Sequence, residues 1–255
     1  MKHSLTNSLV ITSLLATSLH GATIFGDVAS ATWETNTDWS GDVIPGTTTG
    51  VADVAGVNGA RSLTLNSDAS GAGTISNMTV ANQNPGTGLS FFTMTSTAVL
   101  SATNLQIGAN GSGGSFTYHD GASLSTSGSV LMGRPNDTNG TPASSEITFV
   151  LGTSGLTVPI STTTLNLRQQ FADQKIIIDA SAYTGGAADI DLITFTNHFG
   201  GDFNSVSVTG LNPALLSGAV SSDADSVILN LTVVPEPSSL ALLALGSLGL
   251  IRRRR

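Results

Sequence analysis

Met78-Thr79-Val80-Ala81, Leu105-Gln106-Ile107-Gly108 and Val130-Leu131-Met132-Gly133 repeat one pattern, apolar-any-apolar-small. Each is followed by a second alternation: Phe92-Thr93-Met94, Phe116-Thr117-Tyr118 and Ile147-Thr148-Phe149. In the first two copies a leucine comes six residues later, at Leu100 and Leu124. Side chains of a strand point alternately to its two faces, so each alternation predicts a strand with one buried face. The copies recur at offsets of 27 and 25 residues. A period in the twenties with two or three short strands per unit predicts stacked β-coils, in which each unit buries its apolar face against its neighbours. The step from Phe116 to Ile147 is longer, at 31 residues, and Arg134 to Pro142, rich in Pro, Asn, Asp and Gly, reads as a surface loop inserted into that copy.

Composition agrees. Gly, Ser, Thr, Asn and Ala dominate, while Lys, Glu, Gln and Arg, which build exposed helix faces, are scarce. The fold class expected is all-β: a right-handed parallel β-helix (β-solenoid) with capped ends. An antiparallel β-sandwich, whose strands also recur between turns, is the alternative. The repeats are expected over 61–180, between an N-terminal cap at 22–60 and C-terminal cap strands at 181–233. Lys175-Ile176-Ile177-Ile178-Asp179 reads as one buried strand between repeats and cap. A solenoid end exposes open strand edges that promote polymerisation, which gives capping a physical purpose.

The cap at one end holds Trp33, Glu34, Asp38 and Trp39, with the turn Asn36-Thr37-Asp38, then Ser40-Gly41 and Pro45-Gly46. This order resembles the opening segment of autotransporter-like passenger domains, where aromatics close one end of a β-helix. At the other end Asp189–Phe195, Phe203–Val208 and Val227–Leu231 read as strands, and their order resembles the last strands of the same class. These resemblances imply a fold and not a function.

Both termini carry addresses. Met1-Lys2-His3, the apolar stretch Leu9 to Leu19 and small residues at Gly21 and Ala22 have the layout of a secretory signal peptide, assigned to 1–21. Pro235-Glu236-Pro237 is followed by an apolar run to Ile251 and by Arg252, Arg253, Arg254 and Arg255. The expected membrane segment, 238–251, would make about 21 Å of helix against a hydrocarbon core of about 30 Å, a gap that snorkelling and local thinning can close. Four adjacent arginines would stop transfer and hold the C-terminus at the cytoplasmic face. The prolines deny that helix an N-terminal extension and leave the triplet as extended backbone just outside the membrane. Triplet, apolar run and basic end in this order resemble the PEP-CTERM sorting signal of bacterial surface and exopolysaccharide-associated proteins. The resemblance implies that 234–255 is recognised, and the chain processed, by an exosortase.

Residues 22–233 carry four basic residues, Arg61, Arg134, Arg168 and Lys175, against sixteen acidic ones, a net charge near −12. Nucleic-acid phosphates need clustered Lys and Arg, so no nucleic-acid partner is expected. Cysteine is absent, which removes disulfides, thiol catalysis and Cys-based metal sites.

Several constellations invite chemistry, and each has a simpler account. Glu34 and Asp38 between two tryptophans suggest a glycosidase pair with sugar platforms, but acids in the turn of a Trp-anchored cap explain them as well. His119-Asp120 suggests a base with its orienting carboxylate; turn residues after a strand are the better account. His198 reads as a lone surface histidine. The pairs Asp189/Asp191 and Asp223/Asp225 could project two carboxylates from one strand face towards calcium, yet no EF-hand loop or Gly-Gly-x-Gly-x-Asp nonapeptide is present. Asn77, Asn136, Asn139 and Asn230 each open an Asn-x-Thr triplet, to which no role is assigned. Pectate-lyase-like chemistry would need one of the four basic residues beside an acid cluster, and no acid cluster adjoins them in sequence.

The reading is therefore an exported bacterial cell-surface or exopolysaccharide-matrix protein, structural or adhesive, with no catalytic, cofactor or metal residues assigned. Its expected partners are the exosortase, the membrane through the C-terminal helix, and exopolysaccharide. The alternative is a carbohydrate-binding or carbohydrate-cleaving protein on the same scaffold.

Overall fold

The computed structural model describes residues 23–25, 29–39, 44–45, 54–57, 61–69, 75–81, 89–108, 113–133, 143–167 and 172–234. Along them the chain alternates between two sheets. The first holds β1 (Thr23–Phe25), β3 (Val54–Val57), β5 (Ile75–Val80), β7 (Val99–Ile107), β9 (Ser123–Met132), β11 (Ile160–Leu167) and β13 (Ala188–Gly200), each parallel to the next. The second holds β2 (Ser30–Thr32), β4 (Ser62–Leu65), β6 (Ser90–Met94), β8 (Gly114–His119), β10 (Ala143–Val150), β12 (Ala172–Asp179) and β14 (Ser205–Thr209), also all parallel. This is a parallel β-solenoid, and the uniform strand direction overturns the antiparallel sandwich. No α-helix occurs among the described residues. The expected C-terminal helix 238–251 and the signal peptide 1–21 lie outside them.

Aligned sequence positions are spatial neighbours. Met78 pairs with Leu105 and Leu105 with Val130; Val80 pairs with Ile107 and Ile107 with Met132. Phe92 pairs with Phe116 and Phe116 with Ile147, while Leu100 pairs with Leu124. All of these side chains are buried. Stacking like on like leaves each apolar row continuous, and each Leu, Ile or Phe so buried contributes roughly 1.5–3 kcal/mol.

The small residue that ends each repeat has a conformational reason. Gly108 and Gly133 have φ of 70° and 79°, and Ala81 holds the same left-handed geometry at φ 67°. At the same residue the parallel ladder between coils ends, the Gly108 N–H donating to the Val80 carbonyl (2.8 Å) and the Gly133 N–H to the Ile107 carbonyl (2.9 Å). Left-handed backbone costs an L-residue about 1–2 kcal/mol and glycine almost nothing.

The coil extends beyond 61–180 in both directions. Lys175–Asp179 is not a lone strand between repeats and cap but part of β12, in register with Glu146–Val150. Within it only Ile176 and Ile178 face the core, while Ile177 is half-exposed on the outer face. β13 and β14 then repeat the parallel pairing, and β1 to β4 do so at the other end. Among the described strands the direction changes only in the last hairpin, β15 (Leu216–Ser222) and β16 (Ser226–Val233), where β16 lies antiparallel to both β13 and β15.

An aromatic column runs through the core. Trp39 meets Trp33 edge-on (centroids 5.1 Å apart), Trp33 lies against Phe92 (6.3 Å), and Phe92 stacks on Phe116 (5.3 Å). Tyr118 then links Phe116 to Phe149, at 6.1 Å from each. The tryptophans expected in the N-terminal cap therefore form one end of the core.

Candidate functional site

The most regular surface is the outer face of the second sheet. The position between the two inward residues of each strand is filled by Thr32, Thr64, Thr93, Thr117 and Thr148, which pair in consecutive register and are followed by Ile177 and Ser207. All five threonines are half-buried. Neighbouring strands lie about 4.8 Å apart, so the hydroxyls and methyls recur at that interval. Threonine suits the position because a β-branched side chain packs against its equivalents above and below on the pleated surface.

Two residues earlier runs a second row: Ser30, Ser62, Phe91, Ser115, Glu146, Lys175 and Ser205. The Ser62 hydroxyl donates to the Ser30 hydroxyl at 3.2 Å, and the Ser115 hydroxyl to Glu146 Oε1 at 3.0 Å. Lys175 Nζ lies 3.1 Å from Asp173 Oδ2. From β2 to β8 these two rows carry no charge. Phe91 breaks the serines with a ring that is 43% exposed. Ser115 is buried, so the face offers the hydroxyls of Ser30, Ser62 and the half-buried threonines beside one apolar platform.

The outer face of the first sheet is polar too. Asn104 donates to Asn77 Oδ1 at 3.0 Å, and its own Oδ1 accepts from both the Ser129 N–H and the Ser129 hydroxyl, each at 3.0 Å. This ladder ties β5, β7 and β9 across their outer edges, and Asn77, the first of the Asn-x-Thr positions, is part of it.

Glu34 and Asp38 hold backbone. Asp38 Oδ2 accepts from the Thr32 N–H at 2.8 Å, and Glu34 Oε1 from the Asn66 N–H (2.7 Å) and the Ser67 hydroxyl (2.9 Å). The flanking tryptophans are 2% and 0% exposed, and Trp39 Nε1 donates to the Trp33 carbonyl at 3.0 Å, so neither ring faces solvent as a sugar platform.

His119 ends β8 and Asp120 opens the following turn. Asp120 Oδ1 accepts from the Thr157 N–H at 2.6 Å, so the carboxylate anchors the neighbouring loop. His119 faces Val150, which in turn pairs with Asp179. The Ser181 hydroxyl and N–H hold the Asp179 carboxyl below its usual range, with a smaller effect of the His119 charge. Tyr118 is buried, and its hydroxyl lies 2.6 Å from the Ala122 carbonyl and 3.1 Å from that of Val158. Burial pushes its ionisation well above the ordinary phenol range.

His198 is not a surface residue of the expected kind. It pairs with Leu165, which lies in an inward row, and its ring packs 5.5 Å from Phe195. Asp189 and Asp191 are both exposed on β13, and Asp223 and Asp225 flank the turn of the last hairpin. Among the described residues no three His, Asp or Glu side chains group as a metal site would require. Arg61 precedes β4 on the second sheet, while Arg134 and Arg168 lie outside the described residues.

The sorting residues Pro235, Glu236 and Pro237 and the stop-transfer residues Arg252, Arg253, Arg254 and Arg255 also lie outside the described residues, but their attachment point does not. The chain reaches them from β16, through Val234, whose N–H donates to the Leu215 carbonyl at 2.9 Å. Residues 233–255 match the family model of the PEP-CTERM protein-sorting motif. This motif implies export and exosortase-dependent sorting to the cell envelope. The match begins where the solenoid ends, so it names the address and leaves the domain unnamed. No curated protein and no solved structure matches the chain. The threonine row is the surface that sequence reading overlooked: its signal was the Thr shared by Phe92-Thr93-Met94, Phe116-Thr117-Tyr118 and Ile147-Thr148-Phe149.

Proposed function

We propose that the protein is a non-catalytic structural or adhesive component of the cell envelope or an exopolysaccharide matrix, displayed there after an exosortase processes its tail. The observation that carries this reading is the uncharged hydroxyl face of β2 to β8, set on a coil that leads directly into the sorting motif. A neutral polyhydroxylated polymer can exchange hydrogen bonds with such a face at many equivalent places, and weak contacts repeated along one rigid surface gain strength through effective concentration. Phe91, exposed beside Thr93, favours carbohydrate over protein as the polymer, since a phenyl ring covers the apolar face of a sugar. The likeness of the domain to autotransporter passengers, and the right-handed sense that parallel connections favour, belong to this reading. So do the leader at 1–21 and transient anchoring by 238–251.

The test is intact mass spectrometry of the protein from its own host, cells and medium separately, with co-sedimentation of the exported form on the host's exopolysaccharide. A C-terminus near Glu236 and polymer binding that falls in a Thr93→Glu/Thr117→Glu variant support the reading. A species that retains Arg255 and stays in the membrane overturns the sorting half. Binding indifferent to the two glutamates overturns the adhesive half.

A further inference from the structure

The hairpin that ends the solenoid is two-faced along most of its length and apolar on both faces at its open end. Leu229 and Leu231 point inward and are buried, whereas Ser217 and Thr232, paired across the strands, share an exposed hydroxyl contact of 2.8 Å. At the open end this alternation of polar and apolar fails. Leu216 pairs with Val233 in line with the inward row, and Leu215 and Val234 follow on the opposite face. Leu215 is 55% and Val233 64% exposed, among the largest exposures of any bulky apolar residue described. Strand ends in water are ordinarily polar, so four adjacent apolar residues suit a surface that becomes covered.

The length of the tail says what stands nearby. Pro235 follows Val234 directly, and Leu240 opens the apolar run six residues on. Six residues span at most about 20 Å, so while the tail is in the membrane this end of the hairpin lies within about 20 Å of the hydrocarbon. Glu236 is two residues past Val234, whose N–H is bonded to Leu215, and so at most about 7 Å from it. An enzyme acting at the triplet must therefore approach to within contact of the folded hairpin. A lipid surface is the poorer occupant: the sequence has no Lys or Arg between Lys175 and Arg252 to meet anionic headgroups, while the exposed Asp189 and Asp191 of β13 pair with Asn230 and Ile228 on the strand that ends at Val233.

We propose that the apolar end of the β15–β16 hairpin, formed by Leu215, Leu216, Val233 and Val234, is a docking surface for the exosortase, which recognises this folded edge together with the Pro-Glu-Pro triplet. The proposal rests on the sorting reading above. It makes the processing enzyme a reader of the folded domain, and a chain whose last hairpin has not formed is processed slowly.

The experiment is a pulse-chase of tail removal from the full chain in its own host. Three chains are compared: unaltered, Leu215→Ser, and one with roughly ten Gly and Ser residues inserted between Val234 and Pro235. Leu215 lies outside the matched motif, so its substitution leaves the address intact. Both altered chains are expected to lose their tails at least about fivefold more slowly, the size of one ordinary interface residue. The insertion follows Val234, whose N–H is bonded to Leu215, and ends in a second Val-Val before Pro235 so that the matched address stays whole; it therefore decides the matter even if Leu215→Ser fails to fold. Unchanged rates in both overturn the proposal. Faster processing of the lengthened chain also overturns it, because the hairpin would then only obstruct. Slower processing accompanied by loss of the unprocessed Leu215→Ser chain from membranes would assign the surface to lipid and likewise overturn it. An unaltered chain that keeps Arg255 throughout fails at the earlier step and removes the sorting reading itself.

Discussion

Replacing Tyr118 with Phe tests the core at its one buried phenol. The hydroxyl has a single hydrogen and donates it to the nearer carbonyl, that of Ala122 at 2.6 Å, while the Val158 carbonyl stands 3.1 Å away. The ring is completely buried between Phe116 and Phe149 and survives the substitution in place. The loss is then one buried hydrogen bond and the desolvation of its acceptor, about 1–2 kcal/mol near neutral pH. The alkaline limb gives a second, independent signature. Burial raises the folded phenol's pKa above its unfolded value near 10. The folded state therefore keeps a proton that the unfolded state releases, and stability falls as pH rises above about 10. One pH unit above that value the loss reaches roughly 1.4 kcal/mol. Tyr118→Phe cannot ionise there, so the gap between the two proteins narrows with pH. The measurement is urea unfolding followed by far-UV circular dichroism between about pH 7 and 11. The chain has two tyrosines and two lysines, so few other groups titrate in that window. Stability curves that stay parallel across the whole range would refute the burial argument.

Phe116→Ala, in the middle of the aromatic column, should cost about 3–5 kcal/mol by cavity formation; a chemical-denaturation loss under 1 kcal/mol would mean that neighbouring coils collapse into the space. Gly133→Ala keeps the left-handed turn but adds the β-carbon penalty, so a loss of about 1–2 kcal/mol is expected from the same measurement. Asn104→Ala removes the donor to Asn77 and the acceptor of Ser129 at once; about 1–2 kcal/mol should be lost, with faster amide exchange at Ser129 than at the unaffected Met132. Trp33 and Trp39 are inside the core, so acrylamide should quench their fluorescence only after unfolding, and quenching of the folded protein would place them at the surface.

The central coils were legible in the sequence because parallel stacking puts the same kind of side chain above itself. Met78, Leu105 and Val130 could be aligned by type alone, and the spatial register follows that alignment. β11 escaped the same reading because an inward position there is occupied by Thr162, whose hydroxyl bonds that of the inward Thr126 at 2.7 Å, so the buried row reads as polar in sequence. Lys175–Asp179 was seen as a strand but not as a repeat, since β-branched Ile177 between Ile176 and Ile178 hides the alternation of inside and outside. Strand direction was legible in the repeats, whose period implies parallel stacking, but not in the last hairpin: Val227–Leu231 looks the same whether it runs with β13 or against it, and only a hydrogen-bond ladder tells the two apart. The threonine row was legible in part: Thr93, Thr117 and Thr148 share one place in the aligned repeats, whereas Thr32 and Thr64 join them only once register is known. At Glu34, Asp38 and Asp120 residue type suggested chemistry, and the neighbouring N–H groups show what the carboxylates are bonded to.

The last strand among the described residues is not the last in its sheet. β16 lies between β13 and β15 and is hydrogen-bonded along both edges. Whatever holds the C-terminal end, membrane or matrix, pulls on Val234 and hence on this strand. Tension along its axis must shear two ladders together before the strand can leave, whereas an edge strand would have to break only one. The mechanical load thus enters the domain through a central member, and the antiparallel hairpin serves as the splice that carries tensile force from a single tether into the whole coil.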